Sequence, residues 1–442
     1  SVQIHGAMWA TSFKDFPYSK EQDINDGKVL GEEVLRYVDR FGTEKNLMDS
    51  YTFNAKVVEI KYSTGAEGLG SSEREATLVL QHSVTGEVWT EGPFDLVIYA
   101  SLASEPHIPD IPGRKEFKGE VYHSIDFKKK LYDNIVQSGK KVVVVGGSKA
   151  GCDLALCFQR NGYDKFCWLY RAPYLFWKYE VMFHNRSLIN ILRGLTTMIG
   201  LLMGIVSERL TAWIFWANGI AVTHGDNSRP HDIWSKFHYG VLCPKQRRDL
   251  SLIPKDCIVR GNPQVFTETG LQLSDGTVVE ADVVLFATGC ESGIDKIRLT
   301  KTSRNSLNTL YTLRPTTPLL DHFIIPEFPV LANATSLWTT LGPVRAVNAA
   351  DMAVYHLCVR RHLTEQEMQY STMRQFGKTN SVKGFIFNNK KGGTINAFLW
   401  MHVDLLWRGN ENIADFFIHM FELFCLGKQT ALKMHLPKFK QY

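Results

Sequence analysis

The chain has 442 residues, 44% of them hydrophobic, which is enough to bury large cores in two or three domains. Its formal net charge of +5 is small and is not gathered into a basic arm, which argues against nucleic acid as a partner. The eight cysteines show no C-x-x-C pair and no zinc-type spacing. We therefore interpret them as reduced thiols of an intracellular protein without a secretory signal, and we expect no metal site.

The first predicted element is an amphipathic helix that ends at Gly42 and follows an aromatic-rich surface loop. Its apolar side chains recur at helical spacing and predict a face that packs on a core. The members of this face are Leu30, Val34, Leu35, Val38 and Phe41.

Strand patterns follow between residues 52 and 100. The last of them, Phe94 to Ala100 (FDLVIYA), is continuously apolar and predicts a fully buried strand. The earlier strands are predicted at Val57 to Tyr62, Ala76 to His82 and Val88 to Thr90.

The segment from Lys140 to Arg171 predicts a β-strand, a helix and a second strand in succession. The strand is the valine run that ends at Gly146, and Gly151 would let the following helix pack close against it. A glycine-rich turn at a helix amino end presents backbone N–H groups to phosphate, so the pattern predicts a pyrophosphate site. The pattern reads G-x-S-x-x-G, with Ser148 at the position of the usual middle glycine. The other interpretation is an unliganded strand-to-helix turn.

Arg171 follows the second strand of this unit, where an acidic residue would bind a ribose 2′-hydroxyl. A guanidinium at this place suits a 2′-phosphate instead, so the sequence favours NADP(H) over NAD(H). The alternative is that Arg171 only ends a strand at the surface.

The most apolar region, residues 188 to 222, is interrupted by charges too often to span a bilayer, and we expect buried or lid helices there. A monotopic membrane contact is the second interpretation of this region, because Trp213, Phe215 and Trp216 could lie at a headgroup boundary.

Strand patterns return at Cys257 and end in Ala281 to Gly289 (ADVVLFATG). This buried strand would bring Thr288 and Gly289 to its carboxyl end, where open α/β sheets hold ligands. Residues 348 to 442 are predicted to be mostly helical, and their His402 and His419 to be packing or surface residues rather than ligands.

Three separated segments resemble the flavin-containing monooxygenases. The most specific is FKGEVYHSIDFK (Phe117 to Lys128), which fits the identifying F-x-G-x-x-x-H-x-x-x-F/Y pattern of that family at Phe117, Gly119, His123 and Phe127. The phenylalanine at its end resembles the branch that oxygenates heteroatoms rather than the Baeyer–Villiger branch. We assign His123 a structural role in a connector between two domains.

The second match is the glycine loop, where the family pattern G-x-G/S-x-S/A-x-x-D is met by Gly146, Ser148, Ala150 and Asp153. The third is the FATG run, Phe286 to Gly289, on the strand predicted to return to the flavin domain, and a weaker match is DFP, Asp15 to Pro17. The resemblance thus assigns the cofactor-binding residues, which are Gly146, Gly147, Ser148, Lys149, Ala150, Gly151, Asp153, Arg171, Thr288 and Gly289.

The sequence departs from the family at three places. It lacks the first G-x-G-x-x-G loop that cradles the FAD pyrophosphate, which we interpret as truncation, a genuine loss of flavin being the alternative. Ser101-Leu102 stands where the family has Thr-Gly, and His5 occupies the place of an active-site asparagine, which makes His5 the candidate catalytic residue.

The resemblance implies an α/β fold of two nested, Rossmann-like dinucleotide-binding domains with three-layer β/β/α character and a helical C-terminal extension. The expected divisions are the first part of a truncated FAD-binding domain (1–139), an NADPH-binding domain with an apolar helical insert (140–256), the second part of the FAD-binding domain (257–350) and a helical C-terminal region (351–442).

The function implied is that of an N,N-dimethylaniline monooxygenase-like enzyme that uses NADPH and FAD. It would transfer one oxygen atom from O2 to a small amine or sulfur compound through a flavin C4a-hydroperoxide. Two alternatives stay open: a Baeyer–Villiger oxygenase or flavin reductase, and a non-catalytic NADPH-binding remnant without FAD. The expected location is cytoplasmic or peripheral on an endomembrane.

Overall fold

The structure is a computed structural model. It describes residues 3–7, 11–13, 15–19, 28–63, 74–101, 105–171, 175–178, 220–222, 237–291, 293–303, 306–311, 319–320, 323–334, 342–360, 363–375, 401–403, 406–407 and 412–426.

The described residues include seven bounded α-helices and twenty-three strands, and residues 401–403 and 406–407 are also helical. The helices are α1 Gly31–Glu44, α2 Lys129–Gln137, α3 Lys149–Arg160, α4 Pro244–Ser251, α5 Gly342–Tyr355 with a π-helical continuation His356–Arg360, α6 Glu365–Gln375 and α7 Ile413–Leu426. The strands are β1 Gln3–Ala7, β2 Lys28–Leu30, β3 Ala55–Ser63, β4 Glu75–His82, β5 Val88–Phe94, β6 Val97–Tyr99, β7 Glu105–Pro106, β8 Glu120–His123, β9 Val142–Val145, β10 Phe166–Tyr170, β11 Leu175–Lys178, β12 Ile220–Val222, β13 Phe237–Leu242, β14 Ile258–Arg260, β15 Pro263–Thr267, β16 Gly270–Leu273, β17 Val278–Glu280, β18 Val283–Phe286, β19 Cys290–Glu291, β20 Arg298–Ser303, β21 Ser306–Tyr311, β22 Ile324–Ile325 and β23 Phe328–Asn333.

The chain divides into two compact units. The first unit contains the described residues up to Ser101 and those from Gly293 onward, and the second contains those from Glu105 to Glu291. The 258–286 strands thus lie in the same unit as the valine strand, although the sequence pattern assigns 257–350 to the FAD-binding domain. The cofactor that each unit binds remains a prediction.

The second unit is built on a five-stranded parallel sheet in the order β14-β10-β9-β18-β8. The four valines of β9 are all buried, as their continuous apolar run predicts for a strand covered on both faces. Chain order reverses between β9 and β18, and open α/β sheets hold ligands outside the carboxyl ends of the strands at such a point. The sequence alone places β18 in a different domain, whereas its pairing with β9 puts both carboxyl ends side by side.

Each face of this sheet carries one layer. Helices α2, α3 and α4 cover one face through Ile135, Phe158 and Leu250, and the antiparallel β15-β16-β17 meander covers the other through Phe266 and Leu271. The three-layer β/β/α arrangement predicted for the dinucleotide fold is confirmed in this unit.

The first unit repeats the layering with different elements. Its mixed sheet, in the order β21-β20-β3-β4-β5, packs on the smaller β22-β23-β6 sheet through Ile60, Tyr62 and Phe328. The C-terminal helices pack on the other side of the smaller sheet, where Tyr355 and Met420 meet its core. Every described element from Gly342 onward is helical, in agreement with the pattern.

The helix α1 forms over Gly31–Glu44, and its predicted face is right only in part. Val34 and Phe41 are half-buried, and the Phe41 ring packs on those of Phe13 and Phe16, whereas Leu30 precedes the helix on β2. Leu35 and Val38 are 63% and 55% exposed, while Tyr37 is buried. The Tyr37 hydroxyl accepts a hydrogen bond from the Phe13 N–H at 2.9 Å and donates one to the Phe16 carbonyl at 2.7 Å. The aromatic loop therefore packs on the tyrosine side of α1, because this side offers ring contacts and two backbone partners.

The predicted buried strand FDLVIYA is also corrected. Phe94 ends β5, only Val97–Tyr99 forms the next strand, and Ile98 is 42% exposed. Within the described residues β6 pairs only with β23, and burial alternates along it, with Val97 and Tyr99 half-buried and Ile98 exposed.

The predicted helices over residues 188–222 lie outside the described residues, except at the end of that region. There Ile220–Val222 is a strand, β12, that pairs with β11, so the helical prediction is wrong at these three residues. The aromatic residues named for a monotopic membrane contact lie outside the described part of the chain.

Candidate dinucleotide site in the second unit

The glycine loop is held tightly between β9 and the start of α3. Gly146 has a φ of +137°, and a Cβ on it would lie 2.5 Å from the Ala287 carbonyl oxygen. A Cβ on Gly151 would lie 1.9 Å from the Gly146 carbonyl oxygen, which also accepts a 2.8 Å hydrogen bond from the Trp168 indole. Only glycine fits at both positions, so the close helix–strand approach expected of a pyrophosphate loop is present.

The amino end of α3 begins at Ser148, whose side chain makes no capping hydrogen bond to the helix. Its hydroxyl instead donates to the Ala287 carbonyl at 3.3 Å. The first turn of a helix carries backbone N–H groups without intrahelical acceptors and the positive end of the helix dipole. This helix start therefore suits an anion at the carboxyl edge of the sheet.

Lys149 and Asp153, both predicted to bind cofactor, contact each other across one helical turn. Asp153 Oδ1 also accepts a 3.3 Å hydrogen bond from the Gln246 amide, which ties α3 to α4. Since Lys149 neutralises the carboxylate, Asp153 adds little repulsion toward a bound phosphate. Cofactor contacts of these two side chains remain predictions.

Two exposed arginines end neighbouring strands at the edge that carries the loop. Arg171 follows β10 directly, and Arg260 ends β14 opposite Tyr170 in the parallel register. The Gly261 N–H donates to the Tyr170 carbonyl at 3.1 Å, so the register extends past the end of β14. From the sequence we predict Arg171 as a phosphate ligand but miss Arg260. The signal that could have identified Arg260 is a basic residue at the carboxyl end of a predicted strand.

The turn after β18 contains Thr288 and Gly289. The Thr288 hydroxyl donates to the His107 carbonyl, and Gly289 has a φ of +86°. The Gly289 carbonyl accepts hydrogen bonds from the His107 N–H at 3.0 Å and from His123 Nε2 at 2.8 Å. These polar groups thus hold the turn itself, and their contact with a cofactor remains a prediction.

His123 is 1% exposed and orders the strand ends around this turn. Its Nδ1 accepts a 3.3 Å hydrogen bond from the Ile125 N–H, so the ring hydrogen lies on Nε2 and is donated to Gly289. The structural role proposed for His123 from the sequence agrees with these contacts, although it lies on strand β8 rather than in a connector.

We expect His123→Ala to lower the free energy of unfolding by about 1–3 kcal/mol, because it removes both hydrogen bonds of a buried ring and leaves a cavity in its place. His123→Gln can keep the donor toward Gly289, and His123→Asn can keep the acceptor for Ile125. Urea denaturation of the three variants should rank alanine as the least stable. Equal stability of His123→Ala and the parent would contradict the role.

The other residues considered from the sequence are His5, the cysteines and two C-terminal histidines, and the catalytic role of His5 remains a prediction. His5 lies on β1, at a position whose side chain the structure does not describe.

Burial raises the pKa of Cys152 to about 12, so this thiol beside the loop is unreactive at neutral pH. Within the described ranges no group of three His, Cys, Asp or Glu side chains could hold a metal. His402 and His419 are buried with ring centroids 4.9 Å apart, in agreement with packing roles.

Comparison with known sequences gives a consistent result. A family model described as flavin-binding monooxygenase-like matches residues 1–295. The probable flavin-containing monooxygenase 1 of Arabidopsis thaliana is 26% identical over 338 residues, which are 65% of this chain and 62% of that protein. Flavin-containing monooxygenase 3 of Canis lupus familiaris is 26% identical over 308 residues, 65% of this chain and 52% of that protein. The chain thus spans little more than half the length of these relatives.

Solved structures share the fold. S-allyl-L-cysteine S-oxygenase from Allium sativum aligns with a TM-score of 0.52 at 16% identity, over 96% of this chain and 78% of that one. The OTEMO complex with FAD and NADP aligns with a TM-score of 0.59 at 15% identity, over 93% of this chain and 89% of that one. The Rossmann-like α/β fold predicted from the sequence is confirmed by this likeness.

Proposed function

Because the chain belongs to the flavin-binding monooxygenase-like family, we propose that it is an NADPH- and FAD-dependent monooxygenase that oxygenates a nitrogen or sulfur nucleophile. The proposal rests on the parallel sheet of the second unit. The glycine loop lies where chain order reverses between β9 and β18, and two arginines lie on the same edge of the sheet. The relatives' names and the motif around His123 support the oxygenase assignment.

The residues of the loop fit NADP(H). Gly146 and Gly151 let α3 begin close against β9, because a side chain at either position would collide with a backbone carbonyl oxygen, and the α3 amino end favours negative charge. The pyrophosphate would therefore lie against residues Gly146 to Gly151. Arg171 and Arg260 would bind the 2′-phosphate, because two guanidinium groups at one edge neutralise its double charge.

The fit for FAD is only partial. The first unit offers the parallel strands β6 and β23, whose carboxyl ends lie side by side, as at a ligand-binding edge. However, the 442 residues contain no first glycine loop, and Ser101 stands where the family has threonine. We therefore assign no residue of this chain to FAD and derive no step through it; when bound, FAD supplies the chemistry that activates O2.

The balanced reaction consumes NADPH, a proton, O2 and the nucleophile, and gives NADP+, water and the N-oxide or S-oxide. The residues of this chain bind and orient NADPH, and the hydrogen bonds of His123 and His107 fix the turn at Gly289 beside the loop strand. The dimethylaniline-like specificity is proposed from the phenylalanine at position 127. The eight cysteines show no C-x-x-C pair and no zinc-type spacing, which supports an intracellular location.

The experiment supplies the full chain with FAD, NADPH and ¹⁸O2, together with a tertiary amine, a sulfide and a cyclic ketone in separate reactions. We expect the label in an N-oxide or sulfoxide and little ester from the ketone. Ester alone would identify a Baeyer–Villiger oxygenase. The absence of every oxygenated product, with NADPH still bound, would favour the alternative of a non-catalytic NADPH-binding protein.

A further inference from the structure

Helix α5 carries two polar side chains without partners near its amino end. Asn348 is 2% exposed, and within the described residues neither its Nδ2 donor nor its Oδ1 acceptor has a hydrogen-bond partner. Arg345 lies one turn earlier and is half-buried, and it forms no ion pair or hydrogen bond with the residues that the structure describes. Buried polar groups are normally paired, because leaving one unpaired costs free energy.

The two side chains are neighbours on the helix. Residues three apart lie on the same face, and helical side chains lean toward the amino end, so the Asn348 amide leans toward the turn of Arg345. Burial lowers the pKa of the Arg345 guanidinium, and no charged neighbour contributes to this shift. Arg345 therefore carries a partly desolvated positive charge for which the described part of the chain supplies no counter-ion.

The direction of α5 puts this pair at an edge of the first unit that suits a ligand. His356, just after the helix, lies 3.2 Å from the Pro329 carbonyl oxygen through its Nε2, whereas Ala349 shares a buried cluster with Ala334. The helix thus runs antiparallel to β23, and its first turns lie toward the carboxyl end of that strand. The carboxyl ends of the parallel strands β6 and β23 are side by side, and α/β sheets hold ligands at such an edge.

The two groups specify the chemistry of the ligand. A guanidinium binds a carboxylate through two parallel hydrogen bonds, and one positive side chain matches a single negative charge better than the double charge of a phosphate. Asn348 Nδ2 can donate to the same carboxylate, and Oδ1 can accept from a donor of the ligand or from water. Because Arg345 is the more exposed of the two, the ligand would enter from its side.

We propose that Arg345 and Asn348 bind a carboxylate of the substrate, so that the amine or sulfide that this chain oxygenates is a carboxylic acid. This assignment rests on the proposed function, because it names the substrate class of that reaction. Binding of the carboxylate can be measured without oxygenation, so the two claims can fail separately.

The test titrates the full chain calorimetrically with methylthiopropanoate and with its neutral amide, methylthiopropanamide, which lacks only the charge. We expect the carboxylate to bind at least about ten-fold more tightly. Arg345→Gln should remove this preference, and Arg345→Lys should keep part of it, since lysine retains the charge without the bidentate geometry. Arg36→Gln, which changes an exposed arginine of the first unit, should bind both compounds like the parent.

The variant Asn348→Leu separates a binding role from a structural one. Leucine has a similar shape and leaves no unpaired polar atom, so we expect it to raise the urea midpoint of unfolding while it weakens binding of the carboxylate. A lower midpoint with unchanged carboxylate binding would show that the amide has only a structural role, and it would contradict the assignment of Asn348.

Three results with the parent or with Arg345→Gln would overturn the proposal: equal affinities for carboxylate and amide, no binding of either, or an undiminished preference in the variant. Loss of carboxylate binding when FAD is added would also overturn it, because the cofactor would then occupy the pair. Carboxylate binding that depends on Arg345, without any sulfoxide when FAD, NADPH and O2 are supplied, would support the binding site and contradict the proposed function.

Discussion

Replacement of Gly151 by valine is expected to abolish high-affinity binding of NADPH and to lower the free energy of unfolding by about 1–3 kcal/mol. The reason is local, because even a Cβ at this position would lie 1.9 Å from the Gly146 carbonyl oxygen and 3.2 Å from Trp168 Nε1. The backbone oxygen cannot rotate away, so α3 must move off β9. Movement of the helix start displaces the N–H groups that would hold the pyrophosphate.

The matched control for stability is Ala150→Val. Ala150 is exposed and lies one residue away on the same helix, so valine there costs only the difference in helix propensity, roughly 0.5 kcal/mol. Urea denaturation should separate the two variants; because Ala150 is itself a predicted cofactor-binding residue, Ala150→Val is a control for stability alone. If Gly151→Val kept the dissociation constant of the parent, the assignment of the loop would be refuted.

Replacement of Arg171 by alanine is expected to weaken NADPH binding by about 10- to 150-fold and to leave NADH binding nearly unchanged. A charge-assisted hydrogen bond to phosphate contributes about 1.5–3 kcal/mol, and NADH lacks the 2′-phosphate that would receive it. Arg260→Ala should shift the same ratio in the same direction, because Arg260 ends the neighbouring strand at the same edge.

Arg248 provides the control for general loss of positive charge, because it is exposed on α4 in the same unit. Arg248→Ala should leave the ratio of NADPH to NADH affinity unchanged. Arg171→Lys should restore part of the affinity, since lysine keeps the charge but loses the bidentate geometry. An equal loss for NADPH and NADH in Arg171→Ala would exclude a specific role for the 2′-phosphate.

The glycine loop could be predicted from the sequence because its signals are local. Four valines, two glycines at fixed positions and a helix with apolar spacing all specify the same strand–turn–helix, and the structure places Gly146 and Gly151 in backbone contacts that exclude a side chain. Arg171 could be found for the same reason, since it directly follows the second strand.

The misses concern contacts between distant segments. The pairing of β18 with β9 and of β14 with β10 joins residues more than eighty positions apart, and no local pattern encodes it. The sequence does not reveal Arg260 as a phosphate ligand, because its place beside Arg171 depends on the pairing of β14 with β10. The exposure of Leu35 shows the same limit, because tyrosine contacts with a distant loop, and not hydrophobicity alone, select the buried side of α1.

The central claim, that the second unit binds NADPH through its 2′-phosphate, is tested most directly by calorimetric titration of the full chain with NADPH and with NADH. We predict that NADPH binds at least about ten-fold more tightly, a difference of about 1.4 kcal/mol. Equal affinities, or no measurable binding of either nucleotide, would contradict the account.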